Sequence, residues 1–187
     1  NFSGDARETE INLYDGSIRY TDEEIGKFIE ELRRVGILDN SIVIITADHG
    51  HEFYEHGRLG HGLSLYEEQL HIPLIFLKTP AFPFHGTFPQ TVGLIDVLPT
   101  LVDFLDLEGL RAKVDGRSLA PLFTSGDMSE NPEYRYSETD RYNFHRSIRY
   151  QNRWKYILVN DRYAPQQLYD LKSDPLEREN LISQQPE

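Results

Sequence analysis

The stretch SIVIITADHGHEFYEHGRLGHG, residues 41–62, decides how this chain is interpreted. It begins with a continuous apolar run, Ile42 to Ile45, which is typical of a strand covered on both faces in a parallel sheet. Asp48 and His49 follow where the chain is expected to leave that strand. Because open α/β sheets bind ligands beyond the carboxyl ends of their strands, these two side chains are expected to line a binding site.

Asp48 and His49 carry the two side-chain types that divalent cations accept most readily, a carboxylate oxygen and a neutral imidazole nitrogen. Adjacent residues on a turning loop can reach one ion, and Gly50 is expected to let the backbone turn sharply. Two ligands do not complete a site, because an oxygen-preferring ion takes about six to eight. From these residues alone, a purely structural role, with Asp48 capping a loop and His49 hydrogen-bonded, has equal support.

The residues before this stretch predict a helix over Tyr20–Gly36. Thr21 followed by Glu24 has the spacing of a capping box, which would start the helix at that point. Apolar residues then recur at a spacing that places them on one face, and that face is expected to pack on a sheet.

The residues after it continue an alternation of helices and buried strands. Ile72–Leu77 is predicted to be a second buried strand, and Leu94–Leu107 a second helix with Asp96 as its cap. This alternation favours an α/β layer architecture.

The pattern changes after about Ser125. The segments YRYSETD, HRSIRYQNRWKYILV and QQLYDL alternate in the way that short antiparallel strands do, and DPLEREN is predicted to be a closing helix. We therefore expect two parts: residues 1–125, an α/β portion with a metal-ligand loop at 48–62, and residues 126–187, a small strand-rich subdomain.

Composition excludes several classes of protein. With 19 Lys and Arg against 31 Asp and Glu, the net charge is −12, which argues against nucleic acid as a partner. The chain has no cysteine, so thiolate metal sites and a cysteine nucleophile are excluded within it. No apolar run reaches the roughly 18 residues of a membrane span. The first residues resemble neither a signal peptide nor a start, so the chain is expected to come from a longer protein. Compartment and oligomeric state are not indicated.

Several separated segments together resemble one family. They are residues 14–57 (YDGSIRY to FYEHG), 60–76 (GHGLSLYEEQLHIPLIF), 92–105 (VGLIDVLPTLVDFL), 115–123 (DGRSLAPLF) and 167–181 (QLYDLKSDPLERENL). In this order they resemble the C-terminal half of the sulfatase family, within the alkaline phosphatase superfamily. The resemblance implies the C-terminal part of an alkaline-phosphatase-like sheet flanked by helices, followed by a small antiparallel β appendage.

The resemblance also implies a metal-dependent hydrolysis of sulfate esters. Asp48 and His49 correspond to two ligands of the family's divalent metal, usually Ca²⁺, although a histidine ligand would also suit Mn²⁺ or Zn²⁺. It implies two further acidic ligands upstream and a formylglycine nucleophile, matured from Cys or Ser in a C/S-x-P-x-R motif that this sequence lacks. The chain alone is therefore expected to be inactive, with an anionic sulfate ester as the partner of the whole enzyme.

The other histidines of the loop need separate interpretations. His61 lies where many relatives carry a Lys that contacts the sulfate, so it is a candidate both for substrate binding and for general acid catalysis, against a loop-stabilising role. His56 is a second candidate for substrate binding, although a loop hydrogen bond is the simpler interpretation. His51 is expected at the rim of the site.

Two alternative functions stay open at this point. A phosphodiesterase, a phosphonate monoester hydrolase or a phospho-alcohol transferase of the same superfamily would use the same metal clamp, because sulfate and phosphate esters share tetrahedral geometry. A noncatalytic binding module, or an inactive fragment, would keep the fold without the chemistry.

Overall fold

The computed structural model describes the greater part of the chain, namely residues 4–111, 113–126, 134–140, 144–159 and 165–184. The chain divides into two compact units, Asn1–Pro83 and Phe84–Glu187. The boundary predicted at residue 125 falls inside the second unit and stays a prediction. Among the described residues, no helix combines the length and the apolar character that crossing a membrane requires.

The first helix, α1, runs from Gly4 to Arg34 and is much longer than predicted. The capping box is wrong, because Thr21 and Glu24 lie inside the helix and the Glu24 carboxylate accepts a hydrogen bond from Lys27 Nζ at 2.6 Å. The chain N-terminal to Thr21 contains no proline, and its helical form is supported by tertiary contacts that local sequence does not reveal. One of them is the hydrogen bond from Arg7 to Glu55 Oε1 at 3.0 Å.

The apolar face of α1 is only partly covered within the described residues. Its buried fraction is intermediate at Ile25, Ile29 and Leu32, whereas Phe28 and Val35 are exposed. The helix contacts the short 3₁₀ turn Leu38–Asn40 that follows it.

The two apolar runs form strands β1 (Val43–Thr46) and β4 (Leu74–Leu77), and these strands pair with each other. The pairing is antiparallel, so the prediction of parallel strands is wrong for this pair. The physical reason is that an apolar run carries no information about direction. Direction is set by the connection, which leaves from Thr46 and returns at Leu74, its partner in the register. The predicted burial on both faces is also wrong for the described residues, because both strands are only partly covered and Ile75 is exposed.

The connection between the two strands contains three short elements. They are strands β2 (Glu52–Phe53) and β3 (Leu59–Gly60), which pair antiparallel, and helix α2 (Glu67–Leu70). We call residues 47–73 the site loop.

The second unit begins with helical segments. A 3₁₀ turn at Leu94–Asp96 leads into α3 (Val97–Phe104), and two short helices follow, α4 (Glu108–Arg111) and α5 (Ala120–Ser125). Pro99 lies in the first turn of α3, as the sequence requires.

Asp96 does not cap α3 with its side chain, contrary to prediction. Its buried carboxylate instead accepts hydrogen bonds from Gly93 N and Arg117 N, both at 3.0 Å. The Arg135 guanidinium lies 3.2 Å from the same carboxylate. Burial lowers the pKa of Arg135 below its usual value, and the nearby Asp96 opposes that shift. Asp96 therefore joins three separate segments of this unit.

The unit ends in a four-stranded antiparallel sheet, which confirms the predicted C-terminal strands. In spatial and chain order they are β5 (Tyr134–Thr139), β6 (His145–Tyr150), β7 (Trp154–Val159) and β8 (Gln167–Asp170). The predicted helix at DPLEREN is wrong: these residues form turns, and Glu177 within them has φ +51°. That conformation accompanies a buried ion pair between Glu177 and Lys155 Nζ at 2.9 Å.

Candidate functional site

The site loop gathers the candidate residues at one end of the β1–β4 pair. Thr46 and Leu74 are register partners, and Thr46 Oγ1 donates a hydrogen bond to Pro73 O at 2.7 Å. The loop therefore starts and ends at neighbouring positions at one end of the strand pair.

Gly50 is required where the start of the loop meets α2. Gly50 N donates to Gln69 O at 2.8 Å, and His51 N donates to Glu68 O at 2.9 Å. A Cβ on Gly50 would lie 2.1 Å from Glu68 O, far inside van der Waals contact. The glycine is thus needed for a close backbone approach, whereas the sequence had indicated a sharp turn.

Asp48 and His49 present their donor atoms together at the end of β1. His49 N donates to Asp48 Oδ1 at 3.0 Å, and His49 Nδ1 donates to Gly50 O at 2.9 Å. A carbonyl oxygen can only accept, so in the neutral ring the proton lies on Nδ1 and the Nε2 lone pair is available to a metal. Nε2 lies 3.6 Å from Asp48 Oδ2, and the Asp48 side chain is 89% exposed. One divalent cation can span these two atoms, so the donor set fits the predicted metal.

His61 lies directly against His49. Their rings stack with centroids 4.0 Å apart and planes 13° from parallel. The structure therefore brings together three of the four predicted site residues, Asp48, His49 and His61.

A buried glutamate, Glu52, organises the rest of the loop. Its Oε1 accepts hydrogen bonds from His56 N at 3.2 Å and Arg58 N at 3.0 Å. Its Oε2 accepts from Ser64 Oγ at 3.1 Å and Gln69 Nε2 at 3.2 Å. Both carboxylate oxygens are therefore fully used in fixing the loop.

His56 belongs to this structural network. Its Nδ1 lies 2.6 Å from Glu68 Oε1, and its ring stacks on Tyr66 with centroids 3.5 Å apart. Donor atoms of Glu52, His56 and Glu68 all lie within 4.8 Å of one another, a spacing that would suit a metal ion. The four hydrogen bonds accepted by Glu52 make the group a poor cation site, and they favour a loop-fixing role for His56 over substrate contact.

Aromatic side chains continue from the histidine pair toward α1. His51 lies 6.2 Å from His61 between ring centroids and 4.6 Å from Phe53. Tyr14 of α1 contacts both His51, at 5.4 Å, and Phe53, at 5.1 Å. This arrangement agrees with the expectation that His51 lies at the rim of the site.

The site loop lies within a region that matches a known protein family. Residues 1–107, more than half of the chain, match the family model described as Sulfatase. The chain belongs to the sulfatase family. The match contains the whole of the site loop, including Asp48, His49 and His61.

Individual relatives agree with this assignment. The sulfatase chain is 33% identical to arylsulfatase K of Bos taurus, over all of this chain and 36% of the relative. It is 32% identical to choline-sulfatase of Rhizobium meliloti (strain 1021), over 90% of this chain and 32% of the relative. The chain thus spans about a third of the length of the curated relatives it matches.

A solved structure supports the predicted alkaline-phosphatase-like α/β fold. The structure of BT4656 in complex with its substrate D-glucosamine-2-N,6-O-disulfate superposes with a TM-score of 0.72 and 28% identity. It covers 88% of this chain, and this chain covers 34% of it.

Two residues of the loop network escaped the sequence interpretation, Glu52 and Gln69. Both are buried polar side chains whose partners come from several turns of the loop. The sequence carries no clear signal for either residue, because Gln69 follows two glutamates and spacing alone does not identify the partners of a polar side chain.

Proposed function

We propose that the whole protein hydrolyses sulfate esters, with a divalent cation held in part by Asp48 and His49. The observation that carries this proposal is the convergence of an exposed carboxylate, an available imidazole nitrogen and a second, stacked imidazole in the loop of a sulfatase-family chain. The substrate is an anionic sulfate ester.

The cation proposed here is Ca²⁺, with Mn²⁺ and Zn²⁺ as alternatives that a histidine ligand would also accept. When bound, it supplies Lewis-acid polarisation of a sulfate oxygen. Asp48 contributes negative charge and an oxygen ligand. His49 contributes a neutral nitrogen whose direction is fixed by the hydrogen bond from its other ring nitrogen to Gly50 O.

His61 is proposed to hold the proton that passes to the departing alcohol. An imidazole titrates near neutral pH, so it can be protonated before the reaction and neutral after it. Stacking on His49 keeps the His61 ring beside the cation ligands, where the sulfate group would be bound.

The nucleophile is proposed to be a hydroxyl of a hydrated formylglycine, contributed by a C/S-x-P-x-R motif outside this sequence. Attack at sulfur would break the bond to the ester oxygen and release an alcohol. The loop described here thus contributes cation ligands and a proton donor.

The proposal is tested with the full-length protein on an aryl sulfate and on an aryl phosphodiester, with Ca²⁺, Mn²⁺ and Zn²⁺ added separately after chelation. We expect sulfate hydrolysis that depends on the metal. Asp48→Asn and His49→Gln should each lower it at least a hundredfold, because removal of a charged or ligating group from an electrostatic site has effects of this size. His71→Ala is the matched histidine control, since His71 is an exposed histidine of the same loop and is not one of the proposed ligands.

The outcomes separate the functions considered above. A preference for the phosphodiester would replace the sulfatase assignment with a phosphodiesterase. Metal binding without hydrolysis of either ester would favour a binding module.

A further inference from the structure

One buried residue, Gln69, connects the segments that carry the two stacked histidines. Its main-chain oxygen accepts a hydrogen bond from Gly50 N, the residue after His49, at 2.8 Å. Its side-chain Oε1 accepts from Gly62 N, the residue after His61, also at 2.8 Å. The first contact is independent of the side chain, whereas the second exists only while a suitable acceptor occupies position 69.

The segment that carries His61 has little stiffness of its own. His61 lies between Gly60 and Gly62, which have φ +107° and φ +76°. Glycine restricts the backbone less than any other residue, so the contacts that hold Gly60 and Gly62 contribute to the direction of the His61 ring. On one side Gly60 pairs with Glu52 in the β2–β3 ladder, and on the other Gly62 is bound by Gln69.

An amide suits this position because it accepts at one end and donates at the other. While Oε1 accepts from Gly62, Nε2 donates to Ser64 Oγ at 2.5 Å and to Glu52 Oε2 at 3.2 Å. The Glu52 and Ser64 contacts fix the orientation of the amide, and so determine which end faces Gly62. Leucine would fill the same space but leave Gly62 N without this partner.

We propose that Gln69 is a positioning residue which, through Gly62, holds His61 against His49 for proton transfer to the departing alcohol. This inference rests on the proposed function, because it assumes that His61 protonates the leaving group. Gln69 is buried, and its proposed action passes through the backbone of Gly62.

The kinetic test compares two sulfate esters with the full-length protein and the variant Gln69→Leu. 4-Nitrophenyl sulfate releases a stable phenolate and needs little help from an acid, whereas an alkyl sulfate releases a basic alkoxide and needs much. General acid catalysis contributes about a hundredfold or more, so misplacing the acid should lower kcat on the alkyl sulfate about tenfold more than on the nitrophenyl ester. A loss of folded protein would lower both rates by the same factor, and that result would overturn the inference.

Ser64→Ala is the matched control. It removes one contact at the donor end of the amide, while Glu52 Oε2 still accepts from Nε2 and keeps Oε1 facing Gly62 N. We expect any loss in this variant to be equal for the two esters. A leaving-group dependence as large as that of Gln69→Leu would contradict the assignment to the Gly62 contact.

Crystal structures of both full-length variants decide the inference independently of activity. The 4.0 Å separation of the His49 and His61 rings should persist in Ser64→Ala and be lost in Gln69→Leu. If wild-type protein cleaves no sulfate ester, the proposed function fails, but these structures still decide whether Gln69 holds His61. A retained stack in Gln69→Leu would refute the positioning role.

Discussion

At the scale of single residues, the site depends on a few close approaches. Asp48, His49 and His61 could be proposed as site residues from sequence, because Asp48 and His49 follow an apolar run and all three lie in segments that resemble the family; their roles stay a proposal. The role of Gly50 could not be predicted, because the atom it must avoid, Glu68 O, belongs to a helix turn that follows much later in the chain. The stacking of His49 on His61 was equally invisible, since it depends on how the loop closes.

Substitution of Gly50 tests the close approach. Gly50→Ala should lower the free energy of unfolding of the full-length protein by about 1–3 kcal/mol, because overpacking forces the backbone apart. Gly50→Ala should also lower activity, because a shift of the backbone at position 50 displaces the neighbouring His49. Gly26→Ala is the control: this helical position has no neighbouring atom within 4 Å of an added Cβ. Gly26→Ala should raise the free energy of unfolding by up to about 1 kcal/mol, because alanine has the higher helix propensity. Urea unfolding measures the free energy of unfolding of both variants, and an equal change in the two would contradict the steric explanation.

At the scale of elements, the C-terminal sheet was predictable and its closing segment was not. In β5, exposed residues such as Tyr134 and Tyr136 alternate with less exposed ones, as the sequence pattern predicted. DPLEREN has helical composition, but burial of Glu177 against Lys155 determines its conformation instead. The two side chains are 0% and 1% exposed, and an ion pair between distant segments leaves no local pattern.

The buried pair gives a prediction for this sheet. Glu177→Gln should destabilise the protein by about 3–5 kcal/mol, since Lys155 would remain buried without its counter-charge. The double variant Lys155→Met/Glu177→Leu should be considerably more stable than Glu177→Gln, because neither charge is then buried. Chemical unfolding of the three proteins measures the difference. A double variant no more stable than Glu177→Gln would show that charge burial is not the main cost.

A second ion pair makes the stability of the same sheet depend on pH. Arg153 donates to Asp170 through Nε at 3.0 Å and Nη2 at 2.7 Å. The hydrogen bond from Arg153 lowers the pKa of Asp170 below its ordinary value of 3.8. Since the folded pKa is the lower one, the stabilisation is complete above the unfolded pKa and is lost as pH falls through the folded pKa.

Asp170→Asn tests this dependence. The variant should be less stable than wild type at pH 7, and the difference should shrink steadily below about pH 4, where the unfolded carboxylate begins to protonate. Urea unfolding of wild type and Asp170→Asn at a series of pH values measures this difference in stability. A difference that stays constant down to pH 2 would assign the effect to packing instead.

At the scale of the whole molecule, the sequence indicated the family and the mixed fold because several motifs occur in a fixed order. It misjudged strand direction, because the path of the site loop is set by contacts such as those of Glu52 and Gln69. The chain covers about a third of the length of its curated relatives, so under the proposed function the site loop would supply only part of the active site.

Metal binding should be visible in the stability of the full-length protein. A ligand that binds only the folded state adds about 2.7 kcal/mol at a concentration of 100 times its Kd, so Ca²⁺ should raise Tm and a chelator should reverse the rise. Asp48→Asn and His49→Gln should reduce the shift, while His71→Ala should keep it. Differential scanning calorimetry measures these values, and an unreduced shift in both ligand variants would place the cation elsewhere.

The side-by-side ends of the site loop, at Thr46 and Leu74, make it separable from the strands that carry it. A chimera could receive this segment from a homologue with another specificity while its splice points remain one strand spacing apart, about 5 Å. Loop length and chemistry are thereby free to diverge during evolution without a change of scaffold.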